Sequence, residues 1–229
     1  MTQQEAARQK SQTQIVDGVE IAYDDVGSGP CVVLLHGYPF NRSLWREQVE
    51  VLSKDHRVIV PDLRGHGESA VMPAPATMEL MAKDVAGLLE SLDISHATIG
   101  GLSMGGYVAL AFYRLFPSRV VSLILASTRA QGDSEEAKQN RKQQEEKALR
   151  EGMEGIADGL LPKLLTPDTV AKSPEVVKQL RGMMADTDPK GAAAALQGMA
   201  IRQDQRKSQE EKSRVKRLTR AFNKTTKKR

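Results

Sequence analysis

Gly101-Leu102-Ser103-Met104-Gly105 places one hydroxyl between two glycines at a spacing that can serve acyl transfer. The run follows the apolar segment His96-Ala97-Thr98-Ile99-Gly100 and leads into Tyr107-Val108-Ala109-Leu110-Ala111-Phe112-Tyr113, which has a helical character. Strand, Gly-x-Ser-x-Gly, helix is the context of a nucleophile elbow, a tight turn that lifts a serine hydroxyl clear of a sheet. Glycines suit the flanking positions because a Cβ there would meet neighbouring backbone. Three fixed positions match by chance on the order of 8 % of the time in a chain this long, so a second signal is needed. Acyl transfer builds a negative oxygen in its transition state, and two main-chain N–H groups must already point at it. Met104, the residue after the serine, is positioned to offer one of them. The apolar run Val32-Val33-Leu34-Leu35 opens directly into His36-Gly37-Tyr38-Pro39-Phe40, and Tyr38 in that loop is placed to offer the other.

A third segment, Arg57-Val58-Ile59-Val60-Pro61-Asp62-Leu63-Arg64-Gly65-His66-Gly67-Glu68-Ser69, reads as a buried strand ending in a charged, glycine-rich loop. The order His-Gly-x-Pro, Asp-x-Arg-Gly-His-Gly-x-Ser, Gly-x-Ser-Met-Gly-Gly resembles the α/β-hydrolase superfamily. Within it, the chain is most similar to small bacterial esterases and lactonases of the 3-oxoadipate enol-lactonase and cofactor-free perhydrolase type. The resemblance spans roughly residues 14–204. It implies an α/β fold, a mostly parallel sheet with flanking helices and a helical cap. It implies Ser103 as nucleophile, Tyr38 and Met104 as oxyanion donors, and structural roles for Asp62 and His66. The implied substrate is a small-molecule carboxylic ester or lactone, attacked through an acyl-serine without cofactor or metal.

A serine hydroxyl needs a base to take its proton and a carboxylate to orient that base. In these enzymes the order along the chain is Ser, then Asp or Glu, then His. The four histidines, His36, His56, His66 and His96, all precede Ser103. After Ala200-Ile201-Arg202-Gln203-Asp204 the sequence turns polar and shows neither the strand that would end in the acid nor the one that would lead to the histidine. The expectation is a hydrolase whose last strands are missing and whose triad is incomplete, with weak activity. A small-ligand-binding or polyanion-interacting protein without turnover is the alternative. Asp133 is close behind the sixth strand, but the sequence reads it as an N-terminal cap for the charged helix that follows, with Glu136 three residues on.

The elements that must hold these residues alternate between strand-like and helix-like runs. Residues 15–26 read as an opening antiparallel hairpin turning at Asp17-Gly18. Helices are expected over about 43–53, capped by Ser43, and over about 78–91, capped by Thr77, with Val85, Leu88, Leu89 and Leu92 on one face. A sixth strand is expected over 120–126, then a charged helix over 133–150 and further helices over about 151–161, 174–185 and 189–200. This yields a disordered N-terminal stretch 1–13, an α/β core 14–130, a helical cap 131–203 and a basic polar tail 204–229, expected to be an aberrant or disordered end. Met153, Leu160, Leu164, Met183 and Met184 are the expected pocket-facing residues of the cap. Without further strands, the sixth strand would be an apolar edge prone to self-association.

The net charge of +4 hides a division. Residues 205–229 hold eleven Lys or Arg against two Glu, a net of +9, which leaves the preceding 204 residues at −5. Val215, Leu218 and Phe222 recur at helical spacing in that tail, so any nucleic-acid or anionic-surface contact would belong to the tail alone. A single cysteine, Cys31, excludes an internal disulfide. The first dozen residues lack a signal-peptide core and no run reaches the length of a membrane span, so a cytoplasmic location is expected.

Overall fold

The computed structural model describes residues 12–73 and 75–206. Six strands form one sheet in the order β1-β2-β4-β3-β5-β6: β1 Gln12–Val16, β2 Val19–Val26, β3 Cys31–Leu35, β4 Arg57–Pro61, β5 Ala97–Leu102 and β6 Val120–Ala126. β1 and β2 pair antiparallel with Val16 opposite Val19, leaving a two-residue turn. Asp17 and Gly18 both adopt positive φ there, +48° and +79°, which suits the twist of a tight hairpin. β2 runs antiparallel to β4, and β4, β3, β5 and β6 are mutually parallel.

The period of two along β3 decides which helix covers which face. Val32 and Leu34 join Val58 and Val60 of β4 in a cluster roofed by Trp45, Val49 and Leu52. These come from a 3-10 turn, Arg42–Trp45, and helix α1, Arg46–Leu52. Val33 and Leu35 point the other way with Ile59 and Ile99, into the main core. There Met81, Val85, Leu88 and Leu89 of α2 (Met78–Ser91) meet Val108 and Phe112 of α3 (Met104–Leu115). Each such side chain contributes roughly 1.5–3 kcal/mol of transfer free energy on burial. Thr77 caps α2 as its sequence implies, accepting the Leu80 N–H at 3.1 Å. Ser43 does not cap the first helix: Asn41 Oδ1 accepts the Ser43 N–H at 3.0 Å, because the segment opens one residue earlier as a 3-10 turn.

After β6 the chain is helical: α4 Glu135–Glu151, α5 Glu154–Leu164, α6 Pro167–Lys172, α7 Pro174–Ala185 and α8 Pro189–Ala200. Ser134, rather than Asp133, caps α4, accepting the Ala137 N–H at 3.2 Å. α6 is a short helix that hydrophobic patterning did not reveal. α5 and α7 share a small apolar cluster, Ala157, Leu161, Met183 and Met184, around Phe40 of the loop after β3. Leu164 is exposed at the end of α5.

α8 differs from the rest of the cap. Ala194, Ala195, Leu196 and Met199 belong to the same cluster as the sheet residues, so this helix is part of the main core. Its small residues allow backbone-to-backbone contact. A Cβ on Gly191 would overlap the carbonyl of Gly65, and the Ala76 N–H donates to Ala194 O at 2.9 Å. Among the described residues β6 is the sheet's far edge, and Val121 is 65 % exposed. The basic segment with Val215, Leu218 and Phe222 lies outside the described residues.

Two glycine substitutions separate packing from propensity. Gly191→Ala forces α8 off Gly65 and is expected to destabilise by about 1–3 kcal/mol. Gly159→Ala on α5 meets nothing within 4 Å and should stabilise by up to about 1 kcal/mol. Urea unfolding of both variants against the parent measures the difference.

Candidate active site

The C-terminal end of β5 and the start of α3 form a turn that only glycine allows. A Cβ on Gly101 would strike the Gly105 carbonyl, and one on Gly105 would strike the carbonyl of Leu35 at the end of β3. Between them Ser103 is held at φ +52°, ψ −108°, a strained conformation for a residue with a side chain. Its main chain is tied on both sides. The Ser103 N–H donates to Ala126 O at 2.9 Å, and Ser103 O accepts from the Thr128 hydroxyl at 2.8 Å. The Ser103 hydroxyl makes no capping bond to α3, and Ser103 stays partly exposed while Met104 and the turns after it are buried.

The loop after β3 runs alongside. A Cβ built on Gly37 would sit 3.6 Å from Ser103 Cβ and 3.3 Å from Leu102 O, which places Tyr38 next to the serine. Among the described residues, no acceptor receives the main-chain N–H of Tyr38 or of Met104. The Met104 N–H is the first of α3, where helix geometry leaves donors unused. The loop is held from beneath and from above. His36 Nε2 accepts the Leu63 N–H at 3.0 Å, and the Thr187 hydroxyl after α7 donates to Pro39 O at 2.8 Å. Neither Thr187 nor Thr128 had a sequence signal; each is one hydroxyl whose partner is far away along the chain.

Asp62 and His66 are placed as structural groups. Asp62 accepts from Arg42 and from the Glu68 N–H, and burial pushes its carboxyl above the ordinary range against the pull of Arg42. His66 packs against His36 with ring centroids 5.1 Å apart, and its Nδ1 lies 3.2 Å from Arg64 O. None of the hydrogen bonds of His36, His66 or His96 involves Ser103. His56 and His96 precede β4 and β5, at the sheet end away from the serine, a strand length of roughly 20 Å in the case of β5. Asp133, read from sequence as a cap, is instead a buried carboxylate bound by Arg141 and by Arg202 Nη1 at 2.7 Å. Burial opposes its charge, but hydrogen bonds from Arg141 and Arg202 outweigh that and hold it below the usual range.

Residues 30–166 match the model of the alpha/beta hydrolase fold family. The chain belongs to that family. Over 172 residues, 75 % of its length, this α/β hydrolase is 31 % identical to 3-oxoadipate enol-lactonase 2 of Acinetobacter baylyi, and it spans 63 % of that relative. Among solved structures it resembles a malate-bound thermophilic esterase from Thermogutta terrifontis, with 46 % identity and a TM-score of 0.82 over 85 % of this chain and 74 % of that one. The enol-lactonase from Burkholderia xenovorans follows at 34 % identity and a TM-score of 0.80, covering 85 % of this chain and 75 % of that one. Among the described residues of this hydrolase no three His, Cys, Asp or Glu are grouped to hold a metal ion, and no helix is long and apolar enough to cross a membrane. An open groove of about 420 Å³ lies between the 3-10 turn and α7, lined by Asn41, Arg46, Glu175, Lys178 and Asp186 among others, and Ser103 is not part of its lining.

The paired imidazoles make stability depend on pH. Burial lowers His36 to about 4, and burial followed by the neighbouring His36 lowers His66 to about 3. Unfolded histidine takes its proton near 6.5, so between that value and about 4 the unfolded chain binds more protons than the folded one. Stability is therefore complete above about pH 6.5 and falls as the pH drops through this window, by on the order of 3 kcal/mol from His36 alone. Urea midpoints from pH 7.5 to 4.5 should show that slope, and His66→Gln should flatten it.

Proposed function

We propose that the chain is a serine hydrolase of a carboxylic ester or lactone, acting through an acyl-Ser103 intermediate without a cofactor. The observation that supports this reading is the pair of unclaimed N–H groups, Tyr38 and Met104, beside a strained and partly exposed serine. They would stabilise the oxyanion formed as Ser103 attacks the substrate carbonyl. The names of the relatives, an esterase and two enol-lactonases, support the same class.

Attack also needs the Ser103 proton to leave. Asp133 is bound by arginines, and no hydrogen bond among the described residues joins a histidine to Ser103, while His56 and His96 sit at the far end of a strand. We therefore propose that this 229-residue chain turns over weakly, with its oxyanion donors supplying what rate there is. The same placement of the histidines favours a second reading, in which the site binds a small acyl ligand and does not turn it over. A short-chain p-nitrophenyl ester and a fluorophosphonate probe, with Ser103→Ala as control, separate the two. Slow Ser103-dependent turnover and labelling supports the hydrolase; folded protein that shows neither supports the binding protein.

We further propose that the β6 edge, unpaired among the described residues, takes up a second copy of the chain. Val121→Lys places a charge on the exposed face and is expected to shift sedimentation toward monomer without altering the far-UV spectrum.

A further inference from the structure

One buried guanidinium near the elbow touches three parts of the fold at once. Arg202, just past the end of α8, is 4 % exposed. Its Nη1 meets Asp133 Oδ1 at 2.7 Å and donates to Met199 O at 2.9 Å, and its Nη2 donates to Gln131 O at 2.8 Å. Its guanidinium carbon lies 4.0 Å from the centroid of the Tyr107 ring, within the range of a cation–π contact. The β6–α4 connection, the end of α8 and the first turn of α3 therefore share one side chain.

The connection is what shapes Ser103. Ala126 O and the Thr128 hydroxyl hold the serine main chain, with Ser127 between them at φ +44°. A Cβ on Gly106 would overlap the Thr128 side chain, so the connection also sets how closely the start of α3 approaches. Residues 127–134 belong to neither strand nor helix and have no ladder of their own to keep them against the elbow. Their outer half is held by the chain after α8. The Gln205 N–H donates to Ala130 O at 2.9 Å, Arg202 takes Gln131 O and Asp133, and a Cβ on Gly132 would sit 3.4 Å from Arg202 O. From the other side, the Tyr107 N–H donates to Ser103 O at 3.2 Å, so the residue under the guanidinium is one hydrogen bond from the serine.

We propose that Arg202 is a positioning residue for Ser103: it clamps the β6–α4 connection to the first turn of α3 and so keeps the serine in the strained conformation from which it reacts. The chemical half of this rests on the acyl-transfer reading of Ser103. Strain at a residue with a side chain persists only while its surroundings over-determine it. The bonds to Ala126 and Thr128 can do that only if the connection is itself fixed. Arginine suits the task because its planar fork binds a carboxylate and carbonyls together while its face covers a ring; a lysine ammonium is a point charge that cannot do both.

The test uses the full chain and two readouts. Hydrogen exchange at the Ser103 and Tyr107 amides, against Val33 and Ile59 of the sheet, reads the clamp whether or not the serine reacts. Arg202→Met is expected to speed exchange at Ser103 and Tyr107 by about ten-fold or more and to leave the sheet amides unchanged. Fluorophosphonate labelling, resolved into a binding constant and a maximal rate, reads the consequence. The maximal rate should fall about ten- to a hundred-fold in Arg202→Met, with the binding constant within about two-fold of the parent, and Arg202→Lys should recover part of the loss. Arg129→Gln, which takes a charge from Asp133 without touching α3, should change neither readout. If Arg202→Met loses its unfolding transition, Tyr107→Leu, which removes the ring face alone, decides by the same two measurements. Unchanged exchange at Ser103 and Tyr107, exchange faster everywhere alike, an equal loss in Arg129→Gln, or loss of fold in both Arg202→Met and Tyr107→Leu overturns the proposal. A parent that never labels, with local exchange quickened by Arg202→Met, leaves the clamp standing while the acyl-transfer reading falls. A parent that labels, with folded Arg202→Met labelling at the same maximal rate, does the reverse.

Discussion

The close crossing of α3 over the end of β3 is the constraint on which the site depends. Gly105 allows the first turn of the helix to rest against the carbonyls of Leu35 and His36. That contact puts the free N–H of Met104 and the loop carrying Tyr38 on either side of Ser103. A methyl group at Gly105 would push helix and strand apart and separate the two donors. The strain at Ser103 is the local cost of this approach, and the bonds from Ala126 and Thr128 hold the residue against relaxing.

The helices after β6 are more than a lid laid on a finished core. α8 packs into the main cluster and touches backbone at Gly65 and Ala76, while Thr187 ties the α7–α8 turn to Pro39. The loop that presents Tyr38 is thus set by the sheet from one side and by the late helices from the other. α5 and α7 meet Phe40 in one small cluster, and Ile156 and Leu160 of α5 pack with Ala148, Ala192 and Tyr38 in another.

Charge is distributed so that the two sides of the serine differ. On the side of the β3 and β4 loops, His36 and His66 are buried, and burial disfavours their charged forms; main-chain groups meet both nitrogens of His36 and Nδ1 of His66. On the side of the β6–α4 connection, Asp133 gathers arginines in numbers it cannot neutralise. The neutral side builds the architecture of the loops; the cationic side ties the start of α4 to the end of α8 through Asp133.

Much of this was legible from local pattern alone. Periodicity of two and 3.6, the Asp17-Gly18 turn, the Thr77 cap and the Gly-x-Ser-x-Gly spacing are short-range signals, and they placed the six strands, the elbow and the expected pair of oxyanion residues. What failed was also local in cause: Ser43 and Asp133 were read as caps from spacing, yet Asn41 and Ser134, one or two residues away, hold the favourable geometry. The sequence by itself determined which residues face a core and where the chain turns, because those depend on neighbours within a few positions. Only the tertiary structure decided that α8 joins the main core, that Thr128 and Thr187 fix the site, and that Arg141 and Arg202 meet Asp133. These pairings join residues 8 to 148 positions apart through hydrogen bonds or ion pairs, and no spacing along the chain encodes which distant partner folding will bring into reach.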